Sequence, residues 1–230
     1  NTEGFYSDRS MFFGRAEFMP TEDMALSVRK ITRQASTRIA RTGFALAAQR
    51  RQKVTVVHKA NVFHVTDGLF LEAVRVVRDE FPDFEYEEQI IDAMAALLIR
   101  DPGQFDVIVT TNMYGDILSD EASEIAGSLG MAASLNAGET FAMAQAQHGS
   151  APSLAGKDQG NPSSLIGSAA MLLRWIGERR EAPQFLAAAD AIEQAIKKAV
   201  ATASTRTADL GGPLGTTAFT DGLLAMIKEP

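Results

Sequence analysis

The sequence has no cysteine among its 230 residues, which excludes disulfides and thiolate chemistry within it. It also has no apolar run that approaches the roughly 18 residues of a membrane span, and no secretory signal peptide is visible. Its net charge of -7 gives no non-specific attraction to nucleic acid or to anionic membranes. We therefore expect a protein of a reducing, cytoplasmic compartment, without nucleic-acid or membrane partners.

Hydrophobic periodicity in the first part of the chain predicts an α/β fold. Thr21 can cap a long helix over residues 21–50, in which apolar residues recur at three- and four-residue steps. Beyond it, short β-branched runs alternate with helical patterns, which is typical of mostly parallel sheets. Strands are predicted at 53–58, 84–91 and 105–110, and helices at 67–80, 92–100 and 114–126.

The amino-acid composition of the sequence changes after Gly127. Residues 127–162 are rich in Gly, Ala, Ser and Asn, which indicates a long structured loop, and three helices are predicted at 163–178, 183–203 and 216–228. We therefore expect two domains, 1–126 and 127–230. The second has few strand candidates, and the chain opens at Asn1 without Met, so we expect it to belong to a longer protein whose first portion supplies the missing strands.

Two aspartates, Asp116 and Asp120, follow the strand predicted at 105–110. Residues four apart share one face of a helix, and two carboxylates there repel each other unless a cation lies between them. Hard oxygen ligands of this kind suit Mg²⁺ or Mn²⁺. The alternative is that both aspartates simply favour the first turn of a helix, where the dipole stabilises anions.

Two further polar residues follow predicted strands, Lys59 after 53–58 and Asp92 after 84–91. The carboxyl ends of buried strands are where α/β proteins place their sites, so Lys59 is a candidate general base. An exposed, solvated Lys59 and an N-cap role for Asp92 remain open alternatives.

The segment from His148 to Lys157 combines small residues, a Lys and open backbone amides, which could cradle phosphates. Its glycines are too far apart for a Walker A loop, and G-x-G-x-x-G is absent, so any dinucleotide site is not of the Rossmann type. Tyr6 is a further candidate, although a lone Tyr near a chain end more often packs than reacts.

Taken together, these segments resemble the isocitrate/isopropylmalate dehydrogenase family over essentially the whole chain. The resemblance rests on the order NTEGFY, KAN, IDAM, NMYGDILSD, HGSAP and DLGG. It implies the two-domain, mostly parallel α/β fold of isopropylmalate dehydrogenase with flanking helices, here without the first portion of its larger domain. It also implies NAD(P)-dependent oxidation and β-decarboxylation of a 2-hydroxy diacid of the isocitrate, 3-isopropylmalate, tartrate or D-malate type.

The resemblance also implies roles for individual residues. Lys59 would remove the proton of the substrate hydroxyl, and Tyr6 would deliver a proton in the decarboxylation steps. Asn61 would lie in the same site. A homodimer would share its active sites, with Lys59 and Asp92 supplied by the partner subunit. The expected ligands of Mg²⁺ or Mn²⁺ are Asp92, Asp116 and Asp120. The expected cofactor-binding residues are Asn61, His148, Gly149, Ser150, Ala151, Ser153, Leu154 and Asn161.

Two positions depart from the family pattern. Gln145 stands where many members have Glu, and Ser153 stands where NAD-dependent members carry Asp. NADP-dependent isocitrate dehydrogenases tend to have Lys at the latter position, and Ser153 matches neither. We expect NAD, with NADP as the alternative. A non-catalytic or regulatory subunit of the same fold, or an unrelated metal- or phosphate-binding α/β protein, are the competing interpretations.

Overall fold

A computed structural model describes residues 17–228, so the prediction for Tyr6 lies outside the described residues. The chain divides into two compact units, which run over 17–122 and 123–228 within the described part. Among the described residues, no helix combines the length and the apolar character needed to cross a membrane.

The first unit, here unit 1, contains a hairpin, a parallel sheet and four α-helices. Its strands are β1 (Glu17–Thr21), β2 (Met24–Ser27), β3 (Lys53–His58), β4 (Glu85–Ile90) and β5 (Val107–Thr110). Its helices are α1 (Arg33–Ala48), α2 (Thr66–Arg78), α3 (Ile91–Arg100) and α4 (Asn112–Ala126), the last of which extends beyond the unit's end. The three-stranded sheet has the order β4-β3-β5, with β3 parallel to both neighbours.

Alternating side chains of the sheet pack into two separate cores, because successive side chains of a strand point to opposite faces. One core joins Val54 and Val56 of β3 to α1 and α2, where Phe44 stacks on Phe81 at a centroid distance of 5.0 Å. The other joins Val57 of β3 to Met94 and Leu98 of α3 and to Leu118 of α4. Helices therefore cover both faces, which explains the nearly continuous apolar run of β3.

The long helix predicted over 21–50 is wrong in its first third. Residues 17–27 form the antiparallel hairpin β1-β2, and α1 begins only at Arg33. The N-cap is Thr32, whose hydroxyl accepts a hydrogen bond from the Ala35 N–H at 3.2 Å. Met24 and Val28 fit a helical step, but Met24 and Leu26 also alternate as in a strand, and so short a pattern does not decide between them.

The second unit, here unit 2, packs a hairpin and three helices. The hairpin pairs β6 (Ala133–Ala137) with β7 (Ala142–Ala146), and the helices are α5 (Ser163–Arg179), α6 (Pro183–Ala201) and α7 (Thr216–Lys228). The loop predicted over 127–162 is therefore partly wrong, since it contains this hairpin. The buried Ser168 of α5 accepts from the Ser134 N–H at 2.9 Å and donates to the Gln145 carbonyl at 2.7 Å, which fixes the hairpin on the helix.

Candidate active site

The carboxyl ends of three neighbouring parallel strands in unit 1 carry the residues singled out from the sequence. Asp92 follows β4, Lys59 follows β3, and Asp116 and Asp120 lie on α4, which follows β5. Because the sheet order is β4-β3-β5, Lys59 emerges from the central strand, between the other two positions. This edge is where open α/β sheets bind ligands.

Lys59 is largely buried and forms an ion pair through its amine. Its side chain is 19% exposed, and Nζ contacts Oδ2 of Asp92, whose side chain is 68% exposed. Asp92 lies in the first turn of α3, where the helix dipole favours its negative charge. The structure thus brings the predicted base and one predicted metal ligand into direct contact within one chain.

The backbone around Lys59 is held by several hydrogen bonds. The Lys59 carbonyl accepts from the Val62 and Phe63 N–H groups at 2.9 and 2.8 Å. The Ala60 N–H donates to Nδ1 of His58 at 3.0 Å, which requires that this nitrogen carry no proton. Burial lowers the pKa of His58 below its usual value, which favours the neutral ring that the hydrogen bond needs.

Asp67, in the first turn of α2, was not singled out from the sequence, although it contacts Lys59 directly. Its carboxylate is fully buried and accepts from the Lys59 N–H at 2.7 Å. It also pairs with the buried guanidinium of Arg29, which lies over the rings of Phe63 and Tyr114 at 4.8 and 5.6 Å. The one signal in the sequence is an acid near a helix start, and that position is too common to indicate this role.

Asp116 and Asp120 lie on α4, four residues apart and both exposed. Their carboxylate oxygens are the hard ligands that Mg²⁺ or Mn²⁺ prefers, so these residues fit such an ion chemically. Within residues 17–228, no group of three or more His, Cys, Asp or Glu side chains is arranged to hold a metal. The three predicted metal ligands are thus not gathered into one site by the described part of this chain.

The residues of the predicted cofactor loop of unit 2 are exposed from His148 to Gln159. Ala151 has a φ of 42°, a left-handed conformation that is uncommon for a residue with a Cβ, and it directly precedes a short 3₁₀ turn at Pro152–Leu154. Asp158 anchors the end of the loop by accepting from the Thr217 N–H at 2.9 Å and the Thr217 hydroxyl at 2.8 Å. The loop is therefore open to solvent but fixed to the start of α7.

Asn161 closes this loop and is occupied by contacts within unit 2. Its Nδ2 donates to Asp209 at 2.9 Å, and its Oδ1 accepts from the Ser163 N–H at 2.9 Å, at the start of α5. The Ser128 hydroxyl donates to the same Asp209 oxygen at 2.5 Å. Burial alone would raise the pKa of Asp209, but these hydrogen bonds outweigh it and hold that pKa below its usual value.

The remaining predicted cofactor-binding positions of the loop are exposed. His148 Nδ1 contacts the neighbouring Gly149 carbonyl at 2.9 Å, and Ser150, Ser153 and Leu154 are exposed. In unit 1, Asn61 is exposed in the turn after Lys59.

Comparisons with known proteins agree with these motifs. Residues 1–223 match the sequence model of the family described as isocitrate/isopropylmalate dehydrogenase. The chain is 44% identical over 224 residues to the 3-isopropylmalate dehydrogenase of Sulfurisphaera tokodaii, covering 97% of this chain and 63% of that protein. It is 41% identical to a regulatory subunit of the mitochondrial NAD isocitrate dehydrogenase of Dictyostelium discoideum, covering 100% of this chain and 61% of that protein.

A solved structure gives the same result for the fold. The isocitrate dehydrogenase of Methylococcus capsulatus superimposes with a TM-score of 0.88 at 38% identity, covering 100% of this chain and 66% of that one. The chain thus spans somewhat less than two thirds of the length of these relatives. It has the α/β fold expected from the resemblance and matches part of that longer chain. The chain belongs to the isocitrate/isopropylmalate dehydrogenase family.

Proposed function

We propose that the protein containing this chain oxidises and β-decarboxylates a 2-hydroxy diacid of the isocitrate, 3-isopropylmalate, tartrate or D-malate type. The proposed cofactors are NAD and Mg²⁺ or Mn²⁺. The observation that carries the proposal is the contact of Lys59 with Asp92 at the carboxyl edge of the sheet. A base beside a hard anionic ligand suits the removal of a proton from an alcohol that chelates a cation.

The proposed roles follow from these positions. Asp116 and Asp120, with Asp92, would hold the divalent ion, which when bound lowers the pKa of the substrate hydroxyl and stabilises negative charge on its oxygen. The exposed loop that begins at His148 would hold NAD, which when bound would supply the acceptor for the hydride of the hydroxyl-bearing carbon. Lys59 takes the hydroxyl proton, and Asp92 keeps its amine at the sheet edge.

The second part of the reaction releases carbon dioxide. The ketone formed by oxidation lies β to a carboxylate, so the bond between that carboxylate and its neighbouring carbon breaks, and the bonding electrons pass to the ketone oxygen. Tyr6, whose role rests on the resemblance alone, would return a proton to the carbon. Lys59, protonated in the first step, is the proposed source of that proton.

We also propose a homodimer with shared active sites, in which Lys59 and Asp92 serve the partner's site. The support is the hairpin β1-β2, whose residues are all exposed, with Phe18, Met19 and Met24 between 46% and 65% exposed. Apolar side chains on an isolated two-stranded hairpin favour burial against another copy.

NAD is proposed rather than NADP because Ser153, at the position that separates the two classes in the family, is neutral and exposed. A 2′-phosphate calls for a positive partner, which serine does not supply. This choice is tested by measuring kcat/KM with each cofactor at saturating substrate and Mn²⁺.

A second candidate function is a non-catalytic regulatory subunit, which is favoured by the 41% identity to a protein of that name. Lys59, Asp92, Asp116 and Asp120 argue against it, since a protein without catalysis has no need for a base among metal-ligating carboxylates. The two functions differ in the activity expected of the isolated protein.

The test is a panel assay of the full-length protein with NAD or NADP, Mn²⁺ and each of the four substrate types, following reduced cofactor and CO₂ together. Both signals with one substrate would support the proposal and identify the substrate. Reduced cofactor without CO₂ would reject the decarboxylation, and the absence of both signals would favour the regulatory function.

A further inference from the structure

The backbone of Lys59 is fixed by a closed set of hydrogen bonds. The Phe63 N–H donates to the Lys59 carbonyl at 2.8 Å, and the Asp67 N–H donates to the Phe63 carbonyl at 3.0 Å. The Asp67 carboxylate then accepts from the Lys59 N–H at 2.7 Å. The loop between β3 and α2 is thus tied back to Lys59 from both ends, and the side chain that closes this ring of contacts is that of Asp67.

Both oxygens of the Asp67 carboxylate are in use. Oδ2 accepts from the Lys59 N–H, and Oδ1 pairs with Arg29 Nη2, which also donates to the Thr66 hydroxyl at 2.9 Å. The carboxylate is fully buried and the Arg29 side chain is only 7% exposed. An ion pair this deep is weak evidence for stability, because desolvation offsets much of the attraction, so a role in fixing one conformation becomes a testable hypothesis.

We propose that Asp67 is a positioning residue for Lys59: held by Arg29, it fixes the backbone from which the Lys59 amine reaches the substrate. This inference rests on the proposed function, because it assumes that Lys59 takes the hydroxyl proton. A displacement of about 1 Å at a reacting group can lower a rate on the order of a hundredfold, so the backbone of a catalytic lysine needs such a restraint.

An asparagine at position 67 separates this role from shape and volume. The amide has nearly the same size, but it presents one acceptor and one donor where two donors, the Lys59 N–H and Arg29, face the side chain. Either the Lys59 N–H or Arg29 must therefore face the NH₂ group of the amide instead of an acceptor oxygen.

Asp106 offers a matched control at the opposite end of the same sheet. It directly precedes β5, its side chain is 2% exposed, and it likewise accepts from an arginine side chain and a backbone N–H. The donors are Arg50 Nε at 2.8 Å and the Arg51 N–H at 2.9 Å. Asp106→Asn therefore makes the same chemical change in a buried carboxylate of unit 1, away from Lys59.

The experiment compares Asp67→Asn and Asp106→Asn in the full-length protein, with folded fraction measured by urea denaturation. We expect kcat per folded protein to fall at least tenfold in Asp67→Asn, with the KM for the cofactor within twofold of wild type. Asp106→Asn should keep kcat within twofold. Amide hydrogen exchange should accelerate at Lys59 in Asp67→Asn and stay at the wild-type rate there in Asp106→Asn.

The inference is overturned if Asp67→Asn keeps its kcat, or if both variants lose activity only in proportion to their unfolded fraction. Hydrogen exchange distinguishes its failure from that of the proposed function, because it does not need turnover. Unchanged exchange at Lys59 in Asp67→Asn would overturn the inference even in an active enzyme. Accelerated exchange in Asp67→Asn, when the wild-type protein turns over no substrate, would keep Asp67 as the restraint on Lys59 and reject the catalytic function instead.

Discussion

Gly43, in the interior of α1, is a position where a single methyl group should disturb the packing of a helix on the sheet. A Cβ added there would lie 2.3 Å from Cγ2 of Val109 in β5, whereas carbon atoms in contact prefer about 3.5–4.0 Å. Val109 is 2% exposed and β-branched, so its methyl group cannot swing into free space. Helix α1 must instead move away from the sheet, or β5 must shift.

The size and sign of the effect follow from two opposing terms. Overpacking a core costs about 1–3 kcal/mol, and replacing glycine by alanine inside a helix returns about 1 kcal/mol. Gly43→Ala should therefore lower the free energy of unfolding by about 1 kcal/mol. Gly68 in α2 of the same unit has no heavy atom within 4 Å of an added Cβ, so Gly68→Ala should raise it by about 0.5–1 kcal/mol.

Urea denaturation of the two variants tests this difference in sign, and a double-mutant cycle tests its cause. In a Val109→Ala background the space opposite position 43 is open, so Gly43→Ala should there become stabilising like Gly68→Ala. A Gly43→Ala variant that is as stable as Gly68→Ala in the otherwise wild-type protein would refute the packing argument. A penalty that persists with Val109→Ala would show that the clash lies elsewhere.

Three further predictions concern charged residues of unit 1. Asp116→Asn should abolish Mn²⁺-dependent turnover with an unchanged circular dichroism spectrum, whereas the exposed control Asp83→Asn should retain it; the same activity in both variants would reject the metal role. Lys59→Met in one subunit of a mixed dimer should silence the site built largely by the other, and loss confined to its own subunit's site would contradict the shared arrangement. The Arg75 guanidinium holds the pKa of Glu88 below its usual range. The ionised carboxylate therefore stabilises the fold above about pH 4.3, the pKa of an unperturbed Glu, and this stabilisation is lost as the pH falls through the lower pKa of Glu88 in the folded protein. The stability difference between wild type and Glu88→Gln should thus shrink from pH 7 to pH 3 in urea titrations, and an equal difference at both pH values would disprove the assignment.

The strands of the parallel sheet could be predicted because burial on both faces imposes β-branched runs. The strand predicted over 53–58 coincides with β3, and the one predicted over 105–110 contains β5. The prediction begins the first helix too early because Thr21 and Thr32 both precede helical patterns. Phe18 pairs with Leu26 across a short hairpin, and alternation over so few residues does not outweigh a helical pattern.

The hairpin β6-β7 was missed for a different reason. Its strands read ASLNA and AMAQA, which lack the β-branched and aromatic residues typical of strands. Their conformation is set by packing on α5, where Gly167 leaves room for Ala133 and Ser168 bonds both strands. Intrinsic propensity does not report a strand that is specified mainly by its partner helix.

The residues of the candidate site also fall into two groups, those that a local sequence pattern indicates and those that it does not. Residues that are proposed to meet a ligand, such as Asp116 and His148, are exposed and stand in short motifs, so residue type and spacing indicate them. Residues that hold the site together, such as Asp67, carry no local pattern, because their partners lie 8 and 38 positions away. Asp67 and Asp106 make the same kinds of contact, but Asp67 binds the N–H of Lys59 at the carboxyl edge of the sheet, and Asp106 binds the N–H of Arg51 at the opposite edge. The sequence can therefore predict the chemistry of the site, whereas its restraints can be found only from the contacts of the folded chain.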